Sequence, residues 1–447
     1  MSEGSLEHQQ INPSNIISTG VVSFKNGNPV IQFIIGEQEK YLLGNSLRFC
    51  GNVQFLDNSA VPVSASSLSI NSTLGLYGMI DQLNLSSQRS KQNIETIRHY
   101  GRFLSTYLPS LSSKQEAISH LNATSGMMPN LLAQQEGIVN NQNGSSATNR
   151  TTTGTGFCMN LPCGLLNSKN PIPLSASWGI GGLMLEIRLS PDSQFLFAGN
   201  NISASLTDPS YQLSNLSLVY EVVNPSADTL VSLRSQKGNT MEYNSISSYY
   251  TTVNSTNAIV NFNLGVKNAL SAFFNIIPST RLNNLAEDGF ACLPFTNTAG
   301  NGVADIKQLV FTRNGVKFPL QYNIDTNVNP KFIPSGTTYF PEDPQVLRNA
   351  LDSFMPYSEY KKTQMSPVTY TRELDANNRD KANPSQSHFF VGVSFDAISN
   401  QGVDYSSSNL GINMELDLTT DNAQTIFLFV HHKNTLVFSP SGLQVIN

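Results

Sequence analysis

The chain has 447 residues, too many for one hydrophobic core, so two or three domains are expected. Charged residues make up only 13% and the net charge is −5, which excludes a protein that coats nucleic acid through clustered Lys and Arg. Hydrophobic residues at 39%, with Asn, Ser and Thr supplying the polarity, favour β-structure with long polar loops over helical bundles, whose exposed faces need Glu, Lys and Arg.

In chain order, residues 1–17 are polar and aperiodic and predict a flexible arm. Its opening, "MSEGSLEHQQINPSN", has no apolar core, so no signal peptide is expected and the chain should be made in the cytosol, not exported. Strands are predicted over Val30–Ile35 and Ser46–Leu56, and over "IDQLNLS" at Ile80–Ser86 with Leu83 and Leu85 inward. In "SKQNIETIRHYGRFLSTYL" the residues Ile94, Ile97, Phe103, Leu104 and Tyr107 share a stripe at roughly helical spacing, predicting a helix packed on its own sandwich. Residues 138–156, including the low-complexity "NNQNGSSATNRTTTGTG", predict an exposed loop. Strands follow over Phe157–Leu166, Leu183–Leu189 and Leu213–Val223.

The second half repeats this vocabulary. Strands are predicted over Ala258–Val266, over "IKQLVFT" at Ile306–Thr312 with Leu309 and Phe311 inward, and over Phe389–Phe395. "TRNGVKF" at Thr312–Phe318 sets Asn-Gly between apolar flanks, a hairpin signal. "DPQVLRNALDSF" predicts a helix capped by Asp343, with Pro344 in its first turn and Val346, Leu347, Ala350, Leu351 and Phe354 on one stripe. Thr425–Phe438 reads as two strands hinged at "HHKN", and its apolar run "TIFLFV" is too short to span a bilayer.

Two phrases occur twice. "GGLMLEIRLSPD" at Gly181–Asp192 matches "LGINMELDLTTD" at Leu410–Asp421 with an offset of 229 (411 − 182), and "IDQLNLS" matches "IKQLVFT" with an offset of 226 (306 − 80). The same order and nearly the same offset mark a duplication. In Leu183–Leu189 the odd-numbered residues are apolar and Met184, Glu186 and Arg188 face away. In the later copy Ile412, Met414, Leu416 and Leu418 oppose Asn413, Glu415 and Asp417. Period-two alternation marks antiparallel strands with one buried face, so each half is expected to be a sandwich.

No catalytic constellation is evident, and no catalytic, cofactor or metal residues are assigned. His431 and His432 are adjacent on a strand, so their side chains leave opposite faces and cannot chelate one metal together. No nucleophile elbow, phosphate loop or zinc-protease motif is present. Glu186 and Glu415 are the best acid–base nominees because they repeat, but shared ancestry explains them and Arg188 is placed to pair with Glu186. Glu415 with Asp417 is a weaker candidate for a hard cation than for simple solvation. Cys50, Cys158, Cys163 and Cys292 are too few for a disulfide framework and read as buried reduced thiols. The sequons at Asn71 and Asn254 are expected to be unmodified.

A duplicated β-sandwich of this size, carried by "MIDQLNLSSQRSKQNIETIRHYGRF", "SASWGIGGLMLEIRLSPD" and "YQLSNLSLVYEVV", resembles the double jelly-roll major capsid proteins of the adenovirus lineage, nearest those of polinton-like viruses and virophages. The resemblance implies a mainly β protein of two tandem eight-stranded jelly rolls, each with one or two short helices and long loops. The expected organisation is an N-terminal arm at 1–17, a first jelly roll at 18–223 and a second at 224–447. It further implies a structural, non-enzymatic protein of the virion that self-assembles as pseudo-hexagonal homotrimers into an icosahedral shell of a DNA virus. Implied partners are neighbouring capsomers, minor or penton proteins and, through the arm, an internal membrane where there is one; neither a cofactor nor sequence-specific nucleic acid is implied. Two other readings are a minor capsid or spike protein, and a tandem β-sandwich that binds carbohydrate or acts as an adhesin. The second wants aromatic platforms, for which Trp178 and the pair Tyr249 and Tyr250 are the candidates.

Overall fold

The computed structural model describes residues 5–17, 20–63, 68, 70–71, 73–127, 155–198, 204–235, 238–286, 288–290, 305–325, 345–354, 363, 389–395, 401–417, 423–439 and 442–446. Among these, the first half carries strands β1 (Leu6–Ile11), β2 (Val30–Ile35), β3 (Tyr41–Leu42), β4 (Arg48–Leu56), β5 (Ile80–Ser87), β6 (Asn93–Arg98), β7 (Thr155–Asn160), β8 (Ile172–Pro173), β9 (Leu183–Leu189) and β10 (Ser210–Val223). The second carries β11 (Asn239–Val253), β12 (Asn257–Asn263), β13 (Ala269–Pro278), β14 (Asp305–Arg313), β15 (Val316–Lys317), β16 (Ile324–Asp325), β17 (Val391–Ser394), β18 (Asn409–Asp417), β19 (Gln424–Ser439) and β20 (Gly442–Ile446). The helices are α1 (Tyr100–Leu111), α2 (Lys114–Ile118), α3 (His120–Ser125), α4 (Asp192–Phe195), α5 (Ala227–Ser235) and α6 (Gln345–Asp352).

Four antiparallel sheets result, and every strand pairing stays within one half. In the first half β10 lies between β1 and β4, β4 pairs with β7, and the facing sheet runs β2-β9-β5-β6. In the second half the orders are β11-β19-β13-β17 and β12-β18-β14-β15. Lettering the principal strands of each half B to I in chain order gives B-I-D-G packed on C-H-E-F twice over. That is the jelly-roll order. The F position of the second half is shared by the short β15 and β16, both paired on β14.

The duplicated phrases fall on equivalent strands, E (β5 and β14) and H (β9 and β18), which are neighbours in each half. Both pairs carry a bulge at the same place: register shifts between Ile80 and Gln82 in one and between Ile306 and Gln308 in the other. Ile80 stands opposite Leu189 and Ile306 opposite Leu416, so the structural offset on strand H is 227 (416 − 189). The sequence match had placed it at 229. A slip of two leaves every side chain on its original face, so pattern matching cannot detect it. Glu186 is therefore equivalent to Asn413, and the supposed repetition of Glu186 at Glu415 is corrected.

Three further readings are corrected. Residues 6–11 of the expected arm form β1, paired along its length with β10 from Leu6 opposite Val223 to Ile11 opposite Leu218. This edge strand is held by backbone bonds and buries no side chain fully, so its sequence lacks the usual alternation. Ile94 and Ile97 belong to β6 and not to the helix. The ladder with β5 shifts between Leu85 and Ser86, leaving Ile94 as the bulged residue, and that extra residue turns a strand's period into a false helical spacing of three. His99, at φ 55, makes the turn from strand into α1. Thr425–Phe438 is one strand, β19, with no hinge at "HHKN": all fifteen residues of β11 pair along it.

Other expectations match the structure. Leu183, Leu185, Ile187 and Leu189 are buried in alternation, as are Leu410, Ile412, Met414 and Leu416. Asn314 and Gly315 take φ 50 and 83 in the predicted hairpin turn. The loop at 138–156 falls outside the described residues up to 154, as do Asp343, Pro344, Leu418 and Cys292.

Candidate functional site

The two sandwiches share one continuous cluster of buried side chains, and aromatic and polar contacts cross the surface where they meet. Its centre is α1. Ten of its twelve residues are buried, because the helix lies on β5 of the first half and against the outer face of the B-I-D-G sheet of the second. Phe103 stacks on Tyr107 at 4.8 Å between ring centres and meets Phe429 at 5.6 Å and Phe273 at 6.1 Å. Phe354, just beyond α6, closes the cluster against Tyr107 and Phe273. The opposite face of the same sheet fills the second sandwich, where Phe274 meets Phe311 of the facing sheet. Two-sided burial is why Gln424–Val430 is buried without interruption and alternates only beyond it.

Polar contacts lock the seam at both ends. Glu95, 4% exposed on β6, accepts from the amides of Gly164 (3.1 Å), Leu165 (2.9 Å) and Ile246 (2.9 Å) and from the Ser245 hydroxyl (3.1 Å). Burial pushes its pKa up, while the Leu165 and Ile246 amides and the Ser245 hydroxyl favour the carboxylate. Tyr243 Oη donates to the Ile94 carbonyl (2.8 Å) and the Arg98 amide donates to Ser248 Oγ (2.9 Å), so β6 and β11 are stitched together across the halves. A Cβ on Gly164 would collide with the Asn244 carbonyl and Glu95.

At the other end, Phe290 of the second half inserts into the first. An added Cβ would lie 3.0 Å from its ring at Gly78 and 2.9 Å at Gly101, so the two glycines make the slot. The guanidinium of Arg102, wholly buried, lies 5.0 Å from the ring centres of both Phe290 and Phe427. Asp288 accepts from Asn71 Nδ2 (2.8 Å) and from the Phe290 amide (2.9 Å), and burial pushes its pKa up to about 6. Asn71 is thus a buried seam residue, which is incompatible with a glycan at its sequon. His99 packs on Phe427 at 4.9 Å, and burial, then Arg102 and Arg98, lower its pKa to about 4, so its approach to Asp81 is not an ion pair at neutral pH.

The residues singled out in the sequence lie elsewhere or do other work. Glu186 takes amide donors from Gln32 (3.0 Å) and Asn84 (2.9 Å), not the Arg188 guanidinium, and Asn84 Oδ1 in turn accepts from Thr96 Oγ1 (2.7 Å). A polar ladder therefore crosses four strands on the outer face of the first C-H-E-F sheet. Glu415 is exposed, and the side chain of Asp417 is outside the described residues. His431 faces Phe103 and Phe273 at the seam while His432 Nε2 meets Ser247 Oγ at 2.8 Å, and burial lowers both to about 4. No group of three or more His, Cys, Asp or Glu able to hold a metal occurs among the described residues. Trp178 is buried and donates its indole N–H to Glu39 (2.8 Å). Tyr249 donates to the Leu264 carbonyl (2.7 Å) whereas Tyr250 is 60% exposed, so the pair forms no common platform. Cys50 and Cys158 are half-buried, a correction to their reading as buried thiols; Cys163 is buried. No helix among the described residues is long and apolar enough to cross a membrane.

No family model matches the sequence, and no curated protein matches it. Solved structures do. A chain of the Sputnik virophage structure superposes with a TM-score of 0.58 at 12% identity, covering 100% of this chain and 89% of that one. The Faustovirus major capsid protein gives 0.57 at 8% identity, covering 97% and 90%. This is the double jelly-roll fold of viral major capsid proteins. The mavirus major capsid protein superposes with a TM-score of 0.51 at 10% identity, covering 98% and 90%.

Proposed function

We propose that the chain is a structural major capsid protein that assembles as homotrimers into the icosahedral shell of a DNA virus. One observation carries this reading. Two jelly rolls, the strands of one ending with β10 at Val223 and those of the next beginning with β11 at Asn239, are fused through a buried aromatic and polar seam into one block, over the full length of a fold shared with named capsid proteins. Two jelly rolls per chain and three chains per capsomer give six, so a trimer tiles a surface that demands six neighbours. The protein is not an enzyme and works in the virion; neighbouring capsomers, minor or penton proteins and, where the virion has one, an inner membrane are its partners. The carbohydrate-binding reading is disfavoured by the burial of Trp178 and the opposed directions of Tyr249 and Tyr250.

Size-exclusion chromatography with light scattering tests this directly. A trimer weighs 3 × 48.8 = 146.4 kDa and should show a hexagonal outline in negative stain. A stable monomer of 48.8 kDa that stays monomeric as concentration rises refutes the proposal.

A further inference from the structure

Cys50 on β4 and Cys158 on β7 stand directly opposite each other in an antiparallel pair. Cys50 Sγ donates to Cys158 Sγ across 2.8 Å. Directly opposed residues of such a pair have Cα atoms roughly 4.5 or 5.5 Å apart. Both values fall within the span of about 4.4–6.8 Å that a disulfide bridges. We propose that Cys50 and Cys158 are a redox modification site, closing to a disulfide that staples β7 to β4. β7 is the outermost strand of its sheet, and β4 is its strand partner among the described residues, so the bond falls where the sheet is least supported. Nothing in this pairing depends on the chain being a capsid protein.

The oxidant is a low-molecular-weight disulfide such as oxidised glutathione. Burial and the adjacent Cys158 sulfur push the Cys50 thiol up to about 12. One of the two thiols gives its proton to water, and its thiolate attacks one sulfur of oxidised glutathione. The glutathione disulfide bond breaks, and the departing thiolate takes up a proton. The other protein sulfur, deprotonated in turn, then attacks the protein sulfur of the mixed disulfide and expels the second glutathione, which takes up a proton to leave as a thiol. Two protein thiols are oxidised, and one glutathione disulfide is reduced to two thiols.

The test incubates the purified full-length chain with excess oxidised glutathione or with dithiothreitol, alkylates it, digests it without reductant and maps the peptides by mass spectrometry. Oxidation should give a Cys50–Cys158 cross-linked peptide with Cys163 still alkylated. It should raise the thermal midpoint by several degrees, because the cross-link closes a long loop and restricts the unfolded chain. Dithiothreitol should reverse both changes, and a Cys50→Ser/Cys158→Ser variant should show no redox-dependent shift. Recovery of both residues as alkylated monomers after oxidation, or of Cys158 joined to Cys163, overturns the proposal. So does a cross-link that leaves the midpoint unmoved.

Discussion

Replacing Phe290 with Ala should uncouple the two sandwiches. The ring is 2% exposed, seated on Gly78 and Gly101, with the Arg102 guanidinium 5.0 Å from its centre. Truncating a core Phe costs about 3–5 kcal/mol. The upper part of that range applies here, because neither glycine has a side chain to collapse into the void and a buried cation loses a ring face worth up to ~2 kcal/mol. A loss of about 4–5 kcal/mol is expected. The chain's single tryptophan makes the measurement specific, since Trp178 lies in the first half, against Tyr41 and Glu39. Urea denaturation followed by Trp178 fluorescence and by far-ultraviolet circular dichroism should give coincident transitions in the wild type. In Phe290→Ala both midpoints should fall and the two signals should separate, with Phe290→Leu falling between. A loss below about 1 kcal/mol, with coincident transitions, would show that Phe290 merely fills space and that the seam lies elsewhere.

Glu95→Ala leaves the buried Leu165 and Ile246 amides, the half-buried Gly164 amide and the Ser245 hydroxyl without their acceptor and should cost about 3–5 kcal/mol, read by the same urea titration. Gly101→Ala forces a methyl to within 2.9 Å of the Phe290 ring and should cost about 1–3 kcal/mol. Leu185→Asp or Leu416→Asp puts a charge in a sandwich core and should abolish soluble protein; soluble, correctly assembled expression of either contradicts the assigned facing. Two pH effects of opposite sign are expected. His99, His431 and His432 have depressed folded pKa values of about 4, so their contribution is present above the ordinary histidine range and is lost as pH falls from about 6.5 through 4. Asp288 is raised to about 6, so its contribution is full below about 4 and lost as pH rises through 6. Subtracting the stability–pH curve of Asp288→Asn from that of the wild type isolates the second effect, and a flat difference between pH 4 and 7 would contradict it.

Strands whose burial is one-sided were legible, because alternation writes the core face of Leu183–Leu189 directly into the sequence. The duplication was legible for the same reason, and its register was not, since a two-residue slip leaves the pattern intact. The β1 strand escaped because it contributes backbone bonds and no apolar face. The seam escaped because it is assembled from distant segments: Glu95 meets Ile246, and Arg102 meets Phe290 and Phe427. Two signals were nonetheless present. "TIFLFV" breaks alternation as a strand buried on both faces must, and Arg102 sits among the apolar residues of a helix. The sequon at Asn71 drew attention to the right residue for the wrong chemistry.

Part of the surface that covers α1 is made long after the helix itself. Phe103 leaves the ribosome 324 residues (427 − 103) before Phe427 and the rest of the aromatic face of β19. At roughly 5–20 residues per second that is an interval of about 16–65 s. Throughout it Phe103 lacks Phe429 and Arg102 lacks Phe427, even once Phe273 and Phe290 have been made. For that interval the nascent chain carries a partly covered apolar surface that a holding chaperone can mask or that a second nascent chain can seize, exchanging second halves.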